Sequence, residues 1–344
     1  MSQGENAVRI GINGFGRIGR LALRALLEHE ETIDVRAIND LHDAETMAHL
    51  FEHDSVHGTF EGEVEAENGD VRVDGDRFHV LSEEDPAYLA WDKFDVDYVL
   101  ECTGQFRHRE DLQTHLDNGA DRVILSAPAK DAVDATLVRG VNDEVYDPGE
   151  DRLVSNSSCT TNCLAPTAQV LHESFGIEHG LMTTAHAYTN SQVLLDKPHD
   201  DLRRARAAGV SMIPTSTGAA EAIGDVIPEL DGRLDAMAIR VPLPSVSVVD
   251  LTARLQQEAD EDDVIEAYRN AAEADLEGIL RVEDEPLVSI DYQTTPYSAV
   301  VDEPSLRVCD ERMVKVLAWY DNEWGYSMRT AELVLDMWEL EQAG

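Results

Sequence analysis

A glycine-rich turn between an apolar run and a helical pattern constrains the fold of this chain more than any other feature. Val8 to Ile12 suits a buried parallel strand, and Arg20 to His29 has the residue spacing of a helix. Gly14, Gly16 and Gly19 lie between them as G-x-G-x-x-G. In this pattern the first glycine permits a tight turn, the second lets backbone approach a pyrophosphate, and the third lets the helix pack on the strand. The stretch predicts the opening of a dinucleotide-binding domain.

A second apolar run, Val35 to Asn39, ends at Asp40. A carboxylate at the end of the second strand of such a domain binds the adenosine ribose hydroxyls. It also repels the 2′-phosphate of NADP, so Asp40 favours NAD as the cofactor. The alternative interpretation is that Asp40 is an ordinary turn residue.

Further alternation of strands and helices extends this pattern through the first 150 residues. A helix is predicted at Asp43 to Glu52, short antiparallel strands within Gly58 to Val80, and buried strands at Val96 to Glu101 and Val123 to Leu125. Together these segments predict an α/β fold with a doubly wound parallel sheet, known as a Rossmann domain.

The second half of the chain has a different pattern, with alternating strands and few helices. It predicts an α+β domain with a mostly antiparallel sheet. The predicted strands are Gly180 to Tyr188, Ala236 to Val241, Ser247 to Arg254, Leu287 to Tyr292 and Val314 to Trp319, and the predicted helices are Glu261 to Ala274 and Ser327 to Leu340.

The stretch SNSSCTTNC, Ser155 to Cys163, lies in a window that excludes charge. Leu153 to His172 contains no Asp, Glu, Lys or Arg, although the chain is 28% charged. Because Ala165 to Leu171 has a helical pattern, we expect Cys159 near a helix N-terminus, where the helix dipole lowers a thiol pKa. The alternative is a small buried core cysteine; the polar neighbours favour the lining of a site.

The overall charge limits the classes of partner. The formal net charge is −42, and the only lysines are Lys93, Lys130, Lys197 and Lys315. Such an excess disfavours binding to nucleic acid or to anionic membranes. Acids spread along a Lys-poor chain are typical of halophilic proteins, in which molar salt shortens the Debye length to about 3 Å. An acidic tail does not explain the charge, because the acids are not confined to one segment.

Against this acidic background, Leu202 to Ala220 is a basic island with three arginines, Arg203, Arg204 and Arg206, and no acid. It suits an anionic substrate, especially a phosphate; the alternative is an interface that pairs with acids elsewhere. Four cysteines without a C-x-x-C pair, no signal peptide and no apolar run long enough for a bilayer predict a reduced, cytoplasmic protein. No pattern of metal ligands is present, so no metal is expected.

Six motifs in order extend these observations over essentially the whole chain: NGFGRIGR, SNSSCTTNC, TTAHAYTN, DLRRARAA, PTSTGAA and AWYDNEWGYS. In sequence and spacing they resemble phosphorylating glyceraldehyde-3-phosphate dehydrogenases. The resemblance implies an NAD-binding domain over residues 1–158, a catalytic domain over 159–321, and a C-terminal helix, 322–344, that returns to the first domain. It also implies a homotetramer that binds glyceraldehyde 3-phosphate and inorganic phosphate.

Position by position, the resemblance implies a role for each matching residue. Cys159 would be the nucleophile and His186 its base. The substrate and phosphate residues would be Ser158, Thr160, Thr189, Arg204, Thr217, Gly218 and Arg240. The cofactor residues would be Gly14, Phe15, Gly16, Arg17, Ile18, Asp40, Thr103, Ser126, Asn322 and Tyr326, with Asn322 on the nicotinamide carboxamide.

Three positions depart from the family pattern, and one of them is Cys102, which replaces a usual Ser. Ser191 replaces an Asp beside the phosphate pocket, and Lys197 replaces an aliphatic residue near the adenosine ribose, which leaves use of NADP open. The expected reaction is the oxidative phosphorylation of glyceraldehyde 3-phosphate through a cysteine hemithioacetal and thioester. The alternatives are an erythrose-4-phosphate dehydrogenase, or a nucleotide-binding regulator that has kept the fold without turnover.

Overall fold

The computed structural model describes residues 7–29 and 32–343, and the chain divides into two compact units. Unit 1 contains the described residues of Met1–Leu137, Glu144–Ser157 and Ser327–Gly344. Unit 2 contains Val138–Asp143 and Ser158–Tyr326.

Unit 1 is built on a nine-stranded sheet with the order β10-β11-β9-β8-β1-β2-β7-β6-β5. Its pairs are parallel except for the hairpins β5–β6 and β6–β7. The strands of this unit are β1 Val8–Asn13, β2 Ile33–Asn39, β3 His53–Asp54, β4 Gly58–Thr59, β5 Val64–Glu67, β6 Asp70–Val73, β7 Asp76–Leu81, β8 Tyr98–Glu101, β9 Arg122–Leu125, β10 Ala135–Thr136 and β11 Leu153–Ser155, with β3 and β4 forming a separate hairpin.

Three helices, α1 Arg17–Leu26, α2 Ala44–Glu52 and α3 Arg109–Asp117, follow strands of this sheet. Buried on both faces, the central strands have almost continuous apolar side chains, as parallel sheets require. Strand order reverses at β1, which has β2 on one side and β8 on the other. Ligands of doubly wound sheets bind where the strand order reverses, at the carboxyl ends of the strands.

Unit 2 has an eight-stranded sheet with the order β13-β14-β12-β15-β19-β17-β16, and β18 pairs with β19. Most pairs are antiparallel; β12–β14 and β16–β17 are parallel. The strands are β12 Ile177–Ala187, β13 Ile213–Thr215, β14 Leu234–Val241, β15 Ser247–Leu255, β16 Leu280–Glu283, β17 Ala299–Asp302, β18 Arg307–Cys309 and β19 Met313–Tyr320.

The helices of the remaining chain are α4 Cys159–Phe175, α5 Ala219–Val226, α6 Glu261–Ala272 and α7 Trp324–Ala343. Residues of α4, α5 and α6 share one apolar core with the strands of unit 2. Helix α4 is buried along most of its length, and even Thr161 and Asn162 are at most 2% exposed. Burial on all sides therefore accounts for much of the missing charge in this segment, which the sequence analysis attributed to a site.

The predicted fold class is confirmed, and one predicted strand is wrong. Residues Leu287 and Val288 are not in a strand, and Ser289–Tyr292 form a 3₁₀ helix. The sheet strands of that region are β16, LRVE, and β17, AVVD, which at four residues each are too short to recognise from their pattern. Within the described residues, no helix combines the length and apolarity needed to cross a bilayer.

Candidate active site

Cys159 is the first residue of α4, as the sequence analysis predicted. Ser158 caps the helix, and its Oγ accepts the Thr161 N–H at 3.0 Å. The turn into the helix passes through Ser157, whose φ of +53° lies in the left-handed region. The sulfur therefore sits at the positive end of a 17-residue helix, where an anion is stabilised.

His186 lies beside the sulfur, with its Nε2 3.5 Å from the Cys159 Sγ. It is on β12, next to Ala187, the last residue of that strand, and its side chain is buried. The two residues are 27 positions apart, so strand β12 and helix α4 bring them together. The pair has the geometry of a nucleophile and its base.

Arg240 joins this pair from the neighbouring strand. His186 and Arg240 are direct partners in the parallel register of β12 and β14. The Arg240 Nη1 lies 2.6 Å from the His186 Nδ1 and 3.0 Å from the Ala187 carbonyl oxygen. No carboxylate lies within ion-pair distance of Arg240 among the described residues. Its charge is therefore available for an anionic ligand.

The contacts of His186 Nδ1 set the role of the ring. The Ala187 oxygen is 2.7 Å from Nδ1, and because a carbonyl only accepts, this bond needs a proton on Nδ1. Arg240 only donates, so its contact needs a lone pair on the same atom. One tautomer cannot satisfy both. A proton on Nδ1 leaves the Nε2 lone pair facing Cys159, which is the form that can act as a base.

The pKa values of the pair correct the expectation of a lowered thiol pKa. Burial raises the pKa of the Cys159 thiol, and the charge of Arg240 and hydrogen bonds from Thr160 only partly offset this. Burial, reinforced by Arg240, lowers the pKa of His186 to about 3. Without a ligand, these shifts favour the neutral form of both groups at pH 7.

A second group of predicted anion ligands lies around β13 and α5. Arg204 donates from Nε and Nη2 to the Thr215 Oγ1 at 2.8 and 2.6 Å, and Asp201 is 3.7 Å from its Nε. Thr217 Oγ1 accepts the Ala219 N–H at 3.3 Å, and Gly218 precedes α5 with open space where a Cβ would lie.

The charges of Arg204 and Arg240 repel each other. Burial lowers the pKa of Arg240, and the nearby charge of Arg204 contributes further in the same direction. Two like charges in this part of unit 2 create a field that favours a polyanion. Arg206 instead pairs with Asp196 of the same chain at 2.9 Å.

The two remaining predicted ligand threonines have different surroundings. Thr189 is exposed enough to meet a ligand, and its Oγ1 lies 3.0 Å from the Ser191 Oγ. Thr160 is 4% exposed, and its hydroxyl lies 3.0 Å from the Tyr320 hydroxyl. Tyr320 also contacts Thr184 at 3.0 Å, and its ring meets His186 edge-on.

In unit 1, the three glycines behave as the fingerprint requires. A Cβ on Gly14, at φ +93°, would lie 2.7 Å from the Thr103 nitrogen, and one on Gly19 would lie 2.1 Å from the Gly14 oxygen. Gly16 faces open space, and as N-cap of α1 it makes no side-chain cap. Backbone N–H groups at the start of a helix have no partner within that helix, so the first turn of α1, which begins at Arg17 and Ile18, suits a pyrophosphate.

Asp40 follows β2, at the same edge of the sheet. Its carboxylate accepts the Phe15 N–H at 2.9 Å and contacts the His42 ring at 2.7 Å. Partial burial raises the pKa of Asp40, but hydrogen bonds from His42 and Phe15 outweigh it, so the net pKa is lowered. The carboxylate is charged and has further lone pairs for ribose hydroxyls. The guanidinium of Arg17 is paired with Asp54, which leaves the role proposed for this residue to its backbone.

Thr103 and Ser126 follow β8 and β9 and are both fixed by Glu101. Thr103 donates its N–H to the Glu101 carboxylate at 2.8 Å and also contacts it through its hydroxyl. Ser126 Oγ donates to the Glu101 carbonyl at 3.0 Å. Glu101 is fully buried and also accepts from Asn13 and His115. The unit thus places these residues at the edge where dinucleotides bind, and the donor and acceptor set fits such a ligand.

Asn322 and Tyr326 belong to unit 2 and lie just before and within the first turn of α7. Both are buried, at 5% exposure. Asn322 accepts a hydrogen bond from Ser247 at 2.8 Å through its Oδ1. Lys197 lies in the exposed segment between β12 and β13.

Unit 1 has the sheet and the glycine turn of a dinucleotide-binding domain, and unit 2 has a thiol–imidazole pair in contact with Arg240. These features are those of a nucleotide-dependent oxidoreductase. Comparison with known families agrees. Residues 8–109 match the family description "Glyceraldehyde 3-phosphate dehydrogenase, NAD binding domain", and residues 158–322 match the corresponding C-terminal domain.

Curated relatives extend the match over the whole chain. The chain is 54% identical to glyceraldehyde-3-phosphate dehydrogenase of Geobacillus stearothermophilus over 95% of this chain and 97% of that protein. It is 53% identical to the Pseudomonas aeruginosa enzyme over 95% and 97%, and 52% to glyceraldehyde-3-phosphate dehydrogenase 1 of Bacillus cereus over 96% and 98%. The chain belongs to the glyceraldehyde-3-phosphate dehydrogenase family, and the predicted family is confirmed.

Sequence reasoning missed three residues that shape the site. Thr215 holds Arg204, Tyr320 contacts both Thr160 and the His186 ring, and Ser247 holds Asn322. All three lie on strands of unit 2. Thr215 and Tyr320 lie within two of the quoted motifs, PTSTGAA and AWYDNEWGYS, but a motif does not identify the partner of each polar side chain.

Proposed function

We propose that the protein oxidises glyceraldehyde 3-phosphate and transfers the acyl group to inorganic phosphate, giving 1,3-bisphosphoglycerate. The observation that carries this proposal is the Cys159–His186 contact of 3.5 Å at a helix N-terminus, with Arg240 in contact with the same histidine. A thiol in contact with a base can hold an acyl group, and the arginine can hold the substrate phosphate.

The chemistry of the chain's own residues follows from this geometry. His186 Nε2 takes the thiol proton as Cys159 Sγ adds to the aldehyde carbon and passes it to the aldehyde oxygen, so a hemithioacetal with a hydroxyl group forms on the sulfur and the imidazole is neutral again. NAD, when bound, accepts the hydride that this carbon loses. His186 takes the hydroxyl proton as the carbonyl reforms, which leaves a thioester on Cys159. Inorganic phosphate attacks that thioester, and the sulfur leaves as thiolate.

The two arginines divide the phosphate binding in this proposal. Arg240 and Thr189 hold the phosphate of the substrate. Ser158, Thr217, Gly218 and Arg204 hold the inorganic phosphate, with the backbone of Thr160 adding a donor at the helix start. When the substrate phosphate draws the Arg240 guanidinium away from His186 Nδ1, the proton that binds Ala187 stays on Nδ1 and the base form is favoured.

The proposed cofactor residues form two groups. Gly14, Phe15, Gly16, Arg17 and Ile18 would hold the pyrophosphate by backbone, and Asp40 the ribose, with Thr103 and Ser126 lining the unit 1 part. Asn322 would hold the nicotinamide carboxamide next to Tyr326. The charged carboxylate of Asp40 supports NAD over NADP.

We also propose a homotetramer, a cytoplasmic location and adaptation to molar salt. Large apolar side chains exposed in unit 2 support self-association, because contiguous exposed apolar surface marks interaction sites. Leu194 is 90% and Val210 84% exposed, and the others of this segment are Leu195, Leu202 and Met212. The net charge of −42 supports the salt adaptation. Molar-mass measurement in dilute buffer and in molar KCl tests the homotetramer and the salt adaptation.

Initial rates test the proposed reaction. We expect NADH formation from glyceraldehyde 3-phosphate and NAD to depend on inorganic phosphate. Cys159→Ser is expected to lower the rate by about a thousandfold or more, because it removes the nucleophile. Cys163→Ser, one helical turn further on, is the matched control and keeps the rate. A Cys159→Ser protein with full activity would contradict the assignment.

The alternatives make different predictions for the same assay. An erythrose-4-phosphate dehydrogenase would prefer the four-carbon aldehyde and need little phosphate; the names of the relatives do not favour it. A regulator without turnover would show binding of NAD alone, and the close contact of Cys159 and His186 speaks against it.

A further inference from the structure

A single buried hydroxyl joins the strand that carries the catalytic base to the proposed nicotinamide ligand. Ser247 is the first residue of β15 and is 1% exposed. Its Oγ accepts the Ala187 N–H at 3.0 Å, and Ala187 directly follows His186. The same Oγ donates to the Asn322 Oδ1 at 2.8 Å.

The single proton of the Ser247 hydroxyl fixes which of its two hydrogen bonds it donates. A serine hydroxyl has one proton, and the Ala187 N–H can only donate to it. The Ser247 proton is therefore available to Asn322, and the near atom of Asn322 must be the acceptor oxygen. It follows that the Nδ2 group of Asn322 points away from Ser247, and none of the described residues accepts its protons.

The backbone before Ser247 is held in an uncommon conformation. Val246 has a φ of +65° and is 2% exposed, although β-branched residues rarely adopt the left-handed region. The residues on both sides of it bind the same turn: Ser245 Oγ donates to the Asp321 Oδ1 at 2.9 Å, and Ser247 binds Asn322. The turn at Val246 thus directs the hydroxyls of Ser245 and Ser247 to two consecutive residues, Asp321 and Asn322.

We propose that Ser247 is a positioning residue that fixes the Asn322 amide, so that its Nδ2 donates to the carboxamide oxygen of nicotinamide. The inference rests on the proposed NAD-dependent function. Because the same hydroxyl binds Ala187, it also holds the Asn322 side chain at a set distance from His186. The orientation of the amide then selects which end of the carboxamide is bound: its oxygen, not its NH₂ group.

A cofactor analogue separates the two possible orientations. In 3-acetylpyridine adenine dinucleotide a methyl group replaces the carboxamide NH₂ and the carbonyl oxygen remains. Dissociation constants of NAD and of this analogue would be measured for the wild type and for Ser247→Ala, Ser247→Thr and Ser245→Ala. Ser245→Ala is the matched control, since it removes the neighbouring hydroxyl of the same turn without touching Asn322.

For the wild type we expect the two dissociation constants to agree within about threefold, because the bond to the oxygen is kept. Ser247→Ala should weaken NAD binding by about threefold to tenfold, the effect of one neutral hydrogen bond. It should also raise the preference for NAD over the analogue, because the freed amide can turn its oxygen to the NH₂ group. Ser247→Thr should restore the wild-type values, and Ser245→Ala should leave the ratio unchanged.

Two results would overturn the proposal. One is a wild-type protein that binds the analogue more than about tenfold more weakly than NAD, because the Asn322 amide would then present its oxygen to the cofactor. The other is a Ser247→Ala protein that behaves like Ser245→Ala. If Ser247→Ala does not fold, the proposal is still tested by the ratio of the two dissociation constants in the wild type and in Ser247→Thr. Binding needs no substrate, so failure of the proposed reaction would appear separately, as absent turnover in the wild type.

Discussion

The surroundings of Arg240 and Arg204 differ, although both arginines are proposed phosphate ligands. Arg240 contacts the imidazole of His186 and has no carboxylate within ion-pair distance among the residues described. Arg204 donates twice to Thr215, is 29% exposed on its side chain, and has Asp201 3.7 Å away. An anion at Arg240 must therefore change the contacts of the base, whereas an anion at Arg204 need not.

This difference suits a reaction that uses two phosphates in turn. The substrate phosphate must be present when the base acts, and the inorganic phosphate is needed only after the thioester exists. Coupling the first phosphate to His186 through Arg240 would favour proton transfer with substrate bound. Keeping the second at Arg204 leaves the first half of the reaction independent of it.

The largest effect is expected at Arg240. Arg240→Ala should lower kcat/KM for glyceraldehyde 3-phosphate by about a hundredfold or more, since each hydrogen bond to a charged group contributes about 1.5–3 kcal/mol. Affinity for NAD, measured by titration, should change by less than about twofold if the arginine binds only the substrate. Arg240→Lys keeps the charge without the planar fork and should recover only part of the loss. Equal losses for substrate and NAD would contradict the role of Arg240.

The pH dependence of Cys159 alkylation tests the electrostatics of the same region. The thiolate is the form that reacts with iodoacetamide, and burial raises the pKa of Cys159. Without substrate, the rate should therefore rise by about tenfold per pH unit from neutral pH to beyond pH 9, with no plateau. Because burial and Arg240 lower the pKa of His186 to about 3, its protonation should not affect this range.

Peptide mass spectrometry is the appropriate measurement for this prediction, since Cys309 is exposed and will also react. A rate that is already constant at pH 7 would show a thiolate–imidazolium pair at rest. In that case Arg240 would not suppress the charge of His186, and the contrast between the two arginines would be lost.

A smaller effect is expected at Arg204. Arg204→Ala should raise KM for inorganic phosphate by about tenfold, the value of one hydrogen bond to a charged group. The first turnover of NADH should keep its rate and amplitude, because that step precedes attack by phosphate. Arg206→Ala is the matched control, since Arg206 pairs with Asp196 and is 67% exposed. A slower first turnover in Arg204→Ala would show that Arg204 also acts before phosphate attacks, which would contradict two separate phosphate sites.

The parts of the site that depend on local backbone were the most predictable from sequence. Gly14 and Gly19 have neighbours that leave no room for a Cβ, and this requirement is visible in the chain itself. The position of Cys159 near the start of α4 was predicted from the helical pattern of Ala165 to Leu171. The fold class followed from the same short-range patterns.

The register of the strands was not predictable from the sequence, and it determines the remaining contacts of the site. His186 meets Arg240 only because β12 and β14 pair in parallel at that register. The charge-free window around Cys159 was interpreted as a site lining, although much of it is a buried helix whose Cys163 and Leu164 belong to the core. The direction of the Cys159 pKa depends on burial, which no local pattern in the sequence reports.

The most direct test of the account is a first turnover without inorganic phosphate, with glyceraldehyde 3-phosphate and NAD in excess. We predict one equivalent of NADH per Cys159, an acyl adduct on the peptide that contains Cys159 by mass spectrometry, and its discharge when phosphate is added. NADH formation that continues at the same rate without phosphate, or an adduct on another residue, would contradict the assignment of Cys159 as the carrier of the acyl group.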